Sequence, residues 1–246
     1  MATTFTKNTF GVTYKDDFAD SDNYHRILFN SGRAVQAREL TQSQTITQEE
    51  IARFGRHIFK DGAAVNPGGP TVDNSYEFVK LSSTITDDQV TSLVGLEFTG
   101  ATSSIKARVI RVAQAVTDTS LAELDASVSA TGDPATIFVQ YTDTGTSGLG
   151  GTAPVRFTPG ENITSGATTL TVQSTNTTAN PATGQGTLIS NASGTFFVRG
   201  HFVFAKEQSV LLRKYSKFPT EVVGFVVTED IVTFADDAAL YDNQGA

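Results

Sequence analysis

Few side chains in this sequence are equipped for covalent or metal chemistry. There is no cysteine, which excludes disulfides, zinc–thiolate sites and cysteine nucleophiles. The three histidines, His25, His57 and His201, stand in separate segments, so only tertiary contact could assemble them into a metal site or triad. No serine sits in the strained turn context of a nucleophile elbow, and the histidines read as surface or core residues. The acidic run "DDFADSDNYH" invites a calcium reading. With Asp20 as the first ligand of an EF-hand loop, Tyr24 and His25 would fall where an oxygen ligand and a glycine are required, so the match fails. Asp16, Asp17, Asp20 and Asp22 read instead as a charged loop and helix start, where carboxylates are favoured by the helix dipole.

Other chemistries are equally unsupported. Glycoside cleavage needs two carboxyls facing across a sugar; no motif picks such a pair from the 26 acidic residues, and there is no Trp to stack on a sugar ring. "GTSGLGG" lacks the lysine of a phosphate loop. "NIT", "NTT" and "NAS" match glycosylation acceptors by chance in an Asn/Thr-rich chain without a signal peptide. A net charge of −8 and a pI near 4.8 argue against a general binder of nucleic acid or anionic lipid. Arg213, Lys214 and Lys217 form the nearest approach to a basic patch, and such a short cluster usually marks a solvated strand end. No catalytic residue, metal ligand or cofactor site is assigned, and the chain reads as a non-enzyme.

The elements that must carry any function are more legible. Residues 1–20 alternate loosely between apolar and polar at Phe5, Phe10, Val12, Tyr14 and Phe18, and read as an extended docking arm that orders only on a neighbouring chain. A helical segment over 21–70 follows. "DSDNYHRILF" predicts a short helix capped by Ser21 or Asp22 and stopped by the glycine of "NSG". The next stretch carries a seam of Leu40, Gln44, Thr47, Ile51, Phe54 and Ile58, in alternating steps of four and three. That rhythm fits a coiled-coil heptad, and equally an amphipathic helix packed on its own domain. Gln44 and Thr47 bear on the choice. In a monomer core they would need private hydrogen-bond partners, whereas around a symmetry axis equivalent residues satisfy one another and specify register. Thr45 and Thr47 are weak helix formers, and "TQEE" has the form of a capping box, so a break near Thr45 is expected.

Gly62, Pro67 and Pro70 end the helical pattern. "YEFVKLSS", "LEFTG", "IKARVIRV", "TIFVQYTD", "VRFTPG" and "TTLTVQS" then predict short strands of a small antiparallel barrel or sandwich. "STNTTANPATGQG" reads as a flexible connection ending this module, which is assigned 71–185. Alternating Phe, Val and Leu return over 186–246. The expected class is mainly β with an N-terminal helical segment (α+β), an antiparallel β-module being inserted between a helical start and a β finish.

Two blocks, "YHRILFNSGRAVQARELTQSQTITQEEIARFGRHIFKDGAAVNPG" and "GTFFVRGHFVFAKEQSVLLRKYSKFPTEVVGFVVTEDIVTFADDAALYDNQGA", resemble the N-terminal region of large structural proteins of tailed bacteriophages, especially marine and cyanobacterial phages. The match is carried by "VQARELTQ.Q", "FG.HIFKDG", "FFVRGHFV" and "VGF.V.E.I", and the blocks cover about two fifths of the chain. The segment between them is similar to a β-module inserted in several such virion proteins. The resemblance implies a homotrimeric component of the virion tail, assembled in the host cytoplasm, that docks a tail fibre to the tail or baseplate through its arm and helices. It implies partners among other tail or baseplate proteins, no nucleic acid and no membrane. A host receptor would be reached only through a downstream region that this sequence does not contain. An adaptor of the baseplate without a projecting fibre is the alternative, and a carbohydrate-binding or depolymerase module is the reading from a different class.

Overall fold

The structure, a computed structural model, describes residues 15–124, 127–128, 131–143 and 156–241. It is mainly antiparallel β with a helical segment near the N-terminus. In chain order the elements are α1 (Ala37–Ile58), β1 (Ala63–Ala64), β2 (Pro70–Lys80), α2 (Asp87–Ser92), β3 (Glu97–Gly100), β4 (Lys106–Ala113), β5 (Thr136–Asp143), β6 (Asn162–Ser165), β7 (Thr168–Thr171), β8 (Thr183–Asn191), β9 (Gly194–Val198), β10 (His201–Ala205) and β11 (Gln208–Arg213). Backbone contacts divide the chain into two units. The first takes in the described parts of Met1–Gly69, Ala192–Glu207 and Glu221–Ala246; the second is Pro70–Asn191 with Gln208–Thr220.

The second unit holds an eight-stranded antiparallel sheet in the order β11-β8-β2-β5-β4-β3-β6-β7. Pro70 opens β2, where a missing N–H costs no interior ladder bond. Where β8 leaves the edge of β2, the chain after β7 takes its place. Lys80 N donates to Ala182 O, Gln173 N donates to Lys80 O, and Leu81 bridges Val172. The run from β2 to β7 therefore closes on itself as a barrel, and closure removes the sheet edges that would otherwise recruit other chains.

Period-two alternation fills its interior with Val79, Leu81, Phe98, Val109, Ile137 and Ile163, all at most 2% exposed. Each such side chain contributes about 1.5–3 kcal/mol by leaving water. In β4 the alternation slips at a bulge between Val109 and Arg111, so Val112 still points inward. Tyr76, Phe78 and Phe138 face the opposite side, where Leu188, Leu211 and Tyr215 pack over them. Gly186 permits that cover, because a Cβ there would meet the carbonyl oxygens of Arg213 and Lys214 at 2.6 and 2.4 Å.

Several expectations need correction. "VRFTPG" is not a strand over its described residues: Arg156 instead grips Glu77 through two bonds of 2.6 and 2.7 Å, while Phe157 enters the barrel core. The module does not end in a flexible connection at 185, since β8 runs to Asn191 and pairs with both β2 and β11. In the first unit, the short helix expected after Asp20 is a single 3-10 turn, Asp20–Asp22, stopped by Asn23 at φ 56°. Leu28 and Phe29 beyond it are 79% and 53% exposed, so nothing in the chain rewards an amphipathic helix there. The break near Thr45 is also absent. Thr45 and Thr47 direct their hydroxyls back to the carbonyls of Thr41 and Ser43, both at 3.1 Å, and α1 runs unbroken from a capping box between Gln36 and Glu39.

Glu161 is the carboxylate that holds the β3–β4 corner. It is 5% exposed and accepts from the backbone N–H groups of Thr102, Ser103 and Thr158 and from the Ser103 hydroxyl, at 2.6–3.0 Å. Glu161→Ala would strand these donors, and the expected loss is about 2–4 kcal/mol, read as a lower midpoint in urea with an unchanged slope. Stability within about 0.5 kcal/mol of the parent would show that water replaces the carboxylate.

Candidate functional site

In the first unit α1 is pinned at both ends of its inner face. Buried Asp16 accepts from the Thr45 hydroxyl and, at 3.0 Å, from the backbone N–H of Phe18. Further along, Gln48 Nε2 lies 3.0 Å from His201 Nδ1, and Arg56 reaches Glu49 at 3.2 Å. Beneath the helix lies a three-stranded sheet, β1-β9-β10, with a tight turn at Arg199 and Gly200. Phe197 and Phe202 are register partners, so they share one face of the sheet, and with Phe59 they form an aromatic cluster with centroids 5.2–5.9 Å apart. Gly55 lets the helix approach this cluster, since a Cβ there would lie 2.3 Å from the Phe197 ring. Thr45, Ile46, Glu49, Ala52 and Gly55 make up the buried face of α1.

The heptad seam lies elsewhere on the helix. Leu40, Ile51, Phe54 and Ile58 are 54%, 44%, 66% and 54% exposed, and Gln44 and Thr47 are exposed between them. Buried Thr45, Ala52 and Gly55 each follow a seam member by one position, a rotation of about 100°. The helix thus packs this mixed face within its own unit and presents an apolar stripe, about 27 Å long from Leu40 to Ile58, to solvent. Gln44 and Thr47 belong to the open stripe and not to a monomer core.

Residues 12–129 match the family model described as Domain of unknown function (DUF4815). That span takes in α1 and runs through β4 of the second unit. No curated protein and no solved structure matches the chain.

The remaining sequence-predicted residues divide sharply. Phe5, Phe10, Val12 and Tyr14 lie outside the described residues. Phe18 departs from the free-arm expectation: it is 7% exposed and therefore packed within this chain. His25 faces Glu50 at 3.5 Å, His201 faces Gln48, and the histidines are not brought together. The basic cluster is dispersed into structural roles. Lys214 pairs with buried Asp133 and donates its backbone N–H to Glu123, while Lys217 donates to Gln185.

Sequence reasoning missed a second exposed surface in the same unit. Phe196 and Val203, on the sheet face away from Phe197, border a groove of about 530 Å³ with Phe225 and Val226, and the Phe196 and Phe225 rings are 5.5 Å apart. The segment 221–232 that forms its wall has no strand pairing, and Val222 and Val226 are 102% and 89% exposed. Gly55→Ala is expected to destabilise the first unit by about 1–3 kcal/mol, because the added Cβ would lie 2.3 Å from the buried Phe197 ring and force helix or ring to shift. Urea unfolding at fixed protein concentration checks this, and a variant as stable as the parent would mean that helix and sheet can separate at no cost.

Proposed function

We propose that the chain is a structural protein of a phage tail, the anchoring front of a tail fibre, which assembles as a homotrimer along the α1 seam and docks the appendage to the tail or baseplate. The observation that carries this reading is the exposure of Leu40, Ile51, Phe54 and Ile58 as one line on a helix whose inner face is already covered. A stripe of this kind, interrupted by exposed Gln44 and Thr47, is the pattern of a helix that meets copies of itself: apolar members supply burial and polar members set register. The resemblance of both flanking blocks to phage tail proteins supplies the biological setting.

One observation favours the second reading, an adaptor bridging other tail proteins. The largely exposed apolar stretch 222–227, which belongs to no strand, is suited to adding a strand to the sheet edge of a different protein. The two readings differ in what the purified chain does alone.

Light scattering across a dilution series is expected to report a stable trimer. Ile51→Glu with Phe54→Glu should reduce it to a monomer, and Gln44→Leu with Thr47→Ile should alter the oligomer number. A monomeric parent would shift the reading to the adaptor, and a trimer indifferent to all four substitutions would sink the seam.

A further inference from the structure

Lys80 is the last residue of β2, and it points to the same side of the sheet as Tyr76 and Phe78. It is 0% exposed, although lysine is among the residues least often buried without a charge partner. Lys214 pairs with Asp133 and Arg156 with Glu77, whereas Lys80 makes no ion pair among the described residues. Its Nζ instead donates a 2.7 Å hydrogen bond to Oδ1 of Asn180, itself 5% exposed. The Tyr215 ring lies 4.1 Å from the same nitrogen and the Phe78 ring 5.5 Å. Thr136, the register partner of Lys80 on β5, holds the Tyr215 hydroxyl at 2.8 Å and so fixes that aromatic lid.

An amine and a carboxamide are thus enclosed together beneath an aromatic ring. With a carbonyl bond of about 1.23 Å, the Asn180 Cγ lies at most about 3.9 Å from Nζ, so a shift of a few tenths of an ångström brings it into the range of about 3–3.5 Å of a near-attack arrangement. Both backbones are held: Lys80 N donates to Ala182 O, and Asn180 N donates to Thr177.

We infer that Lys80 and Asn180 join in an intramolecular isopeptide bond. Nζ attacks Cγ, the Cγ–Nδ2 bond breaks, one proton passes from Nζ to Nδ2, and ammonia leaves. The product is a secondary amide, and no oxidant or cofactor is consumed. Burial favours the reaction by lowering the Lys80 amine to about 8, against the charge of Asp133, so that the nucleophilic neutral form is present near neutral pH. The charge of Asp133, 1% exposed, then favours the cationic nitrogen of the adduct. The product also removes a buried ammonium, leaving in its place a neutral amide. The bond ties the end of β2 to the turn before β8 across 100 positions of sequence. This inference is independent of the tail-fibre reading.

Intact-mass spectrometry of the purified, denatured full chain is the test. The parent is expected about 17 Da below its sequence mass, the loss of one ammonia, and trypsin should release a branched peptide containing Lys80 and Asn180. Lys80→Met and Asn180→Ala should each restore the full sequence mass, and each should lower the melting temperature by about 10 °C. A parent at full sequence mass after incubation in the folded state at neutral pH would overturn the inference. So would a deficit that persists in Lys80→Met, which would place the loss of ammonia at a site that does not involve the Lys80 amine.

Discussion

The strand β2 has to satisfy neighbours on both edges, and on one edge it changes partner at Lys80. Everything in the second unit follows from that exchange. Up to Val79 the partner is β8; from Lys80 to Ser82 it is the chain that has come round from β7. Without the change the sheet would remain open, and Val79, Leu81 and Ile163 would line an exposed trough. With it they enclose an apolar interior, and β8 and β11 are free to cover the outer aromatic face of Tyr76, Phe78 and Phe138.

The first unit stands in contrast. Its buried apolar residues are few, chiefly Phe18, Ile46, Ala52 and Phe197, whereas Leu28, Phe54, Phe204, Val222, Val226 and Phe234 are each more than half exposed. Apolar surface on this scale is what the proposed association would cover. Its stability would then depend on concentration while the closed barrel would not, because only a unit completed by partners gains from mass action.

Legibility followed the range of the interactions. The alternation of "TIFVQYTD" is local, and β5 occupies those residues without adjustment. The α1 seam was also legible, since heptad spacing reports which residues share a line on a helix whatever covers them. By contrast, β8 hides in Thr- and Gly-rich text because its glycines answer to distant atoms: Gly184 to the Phe78 ring and Gly186 to the backbone at Arg213 and Lys214. The helix predicted at "DSDNYHRILF" failed for the opposite reason, a local propensity without a surface to fold against. Lys80 and Asn180, 100 positions apart, carry no mutual spacing signal at all.

The order in which the chain is made has a consequence of its own. The inner face of α1 rests on Phe197, Gly200 and His201, which leave the ribosome long after the helix. The barrel strands from β2 to β7 emerge between them and can close first, since domains fold as units during synthesis. The helix therefore acquires its support, and its seam a fixed orientation, only once most of the polypeptide has been translated. Under the proposed association, a nascent chain would therefore offer its seam to another copy only after its own barrel is complete.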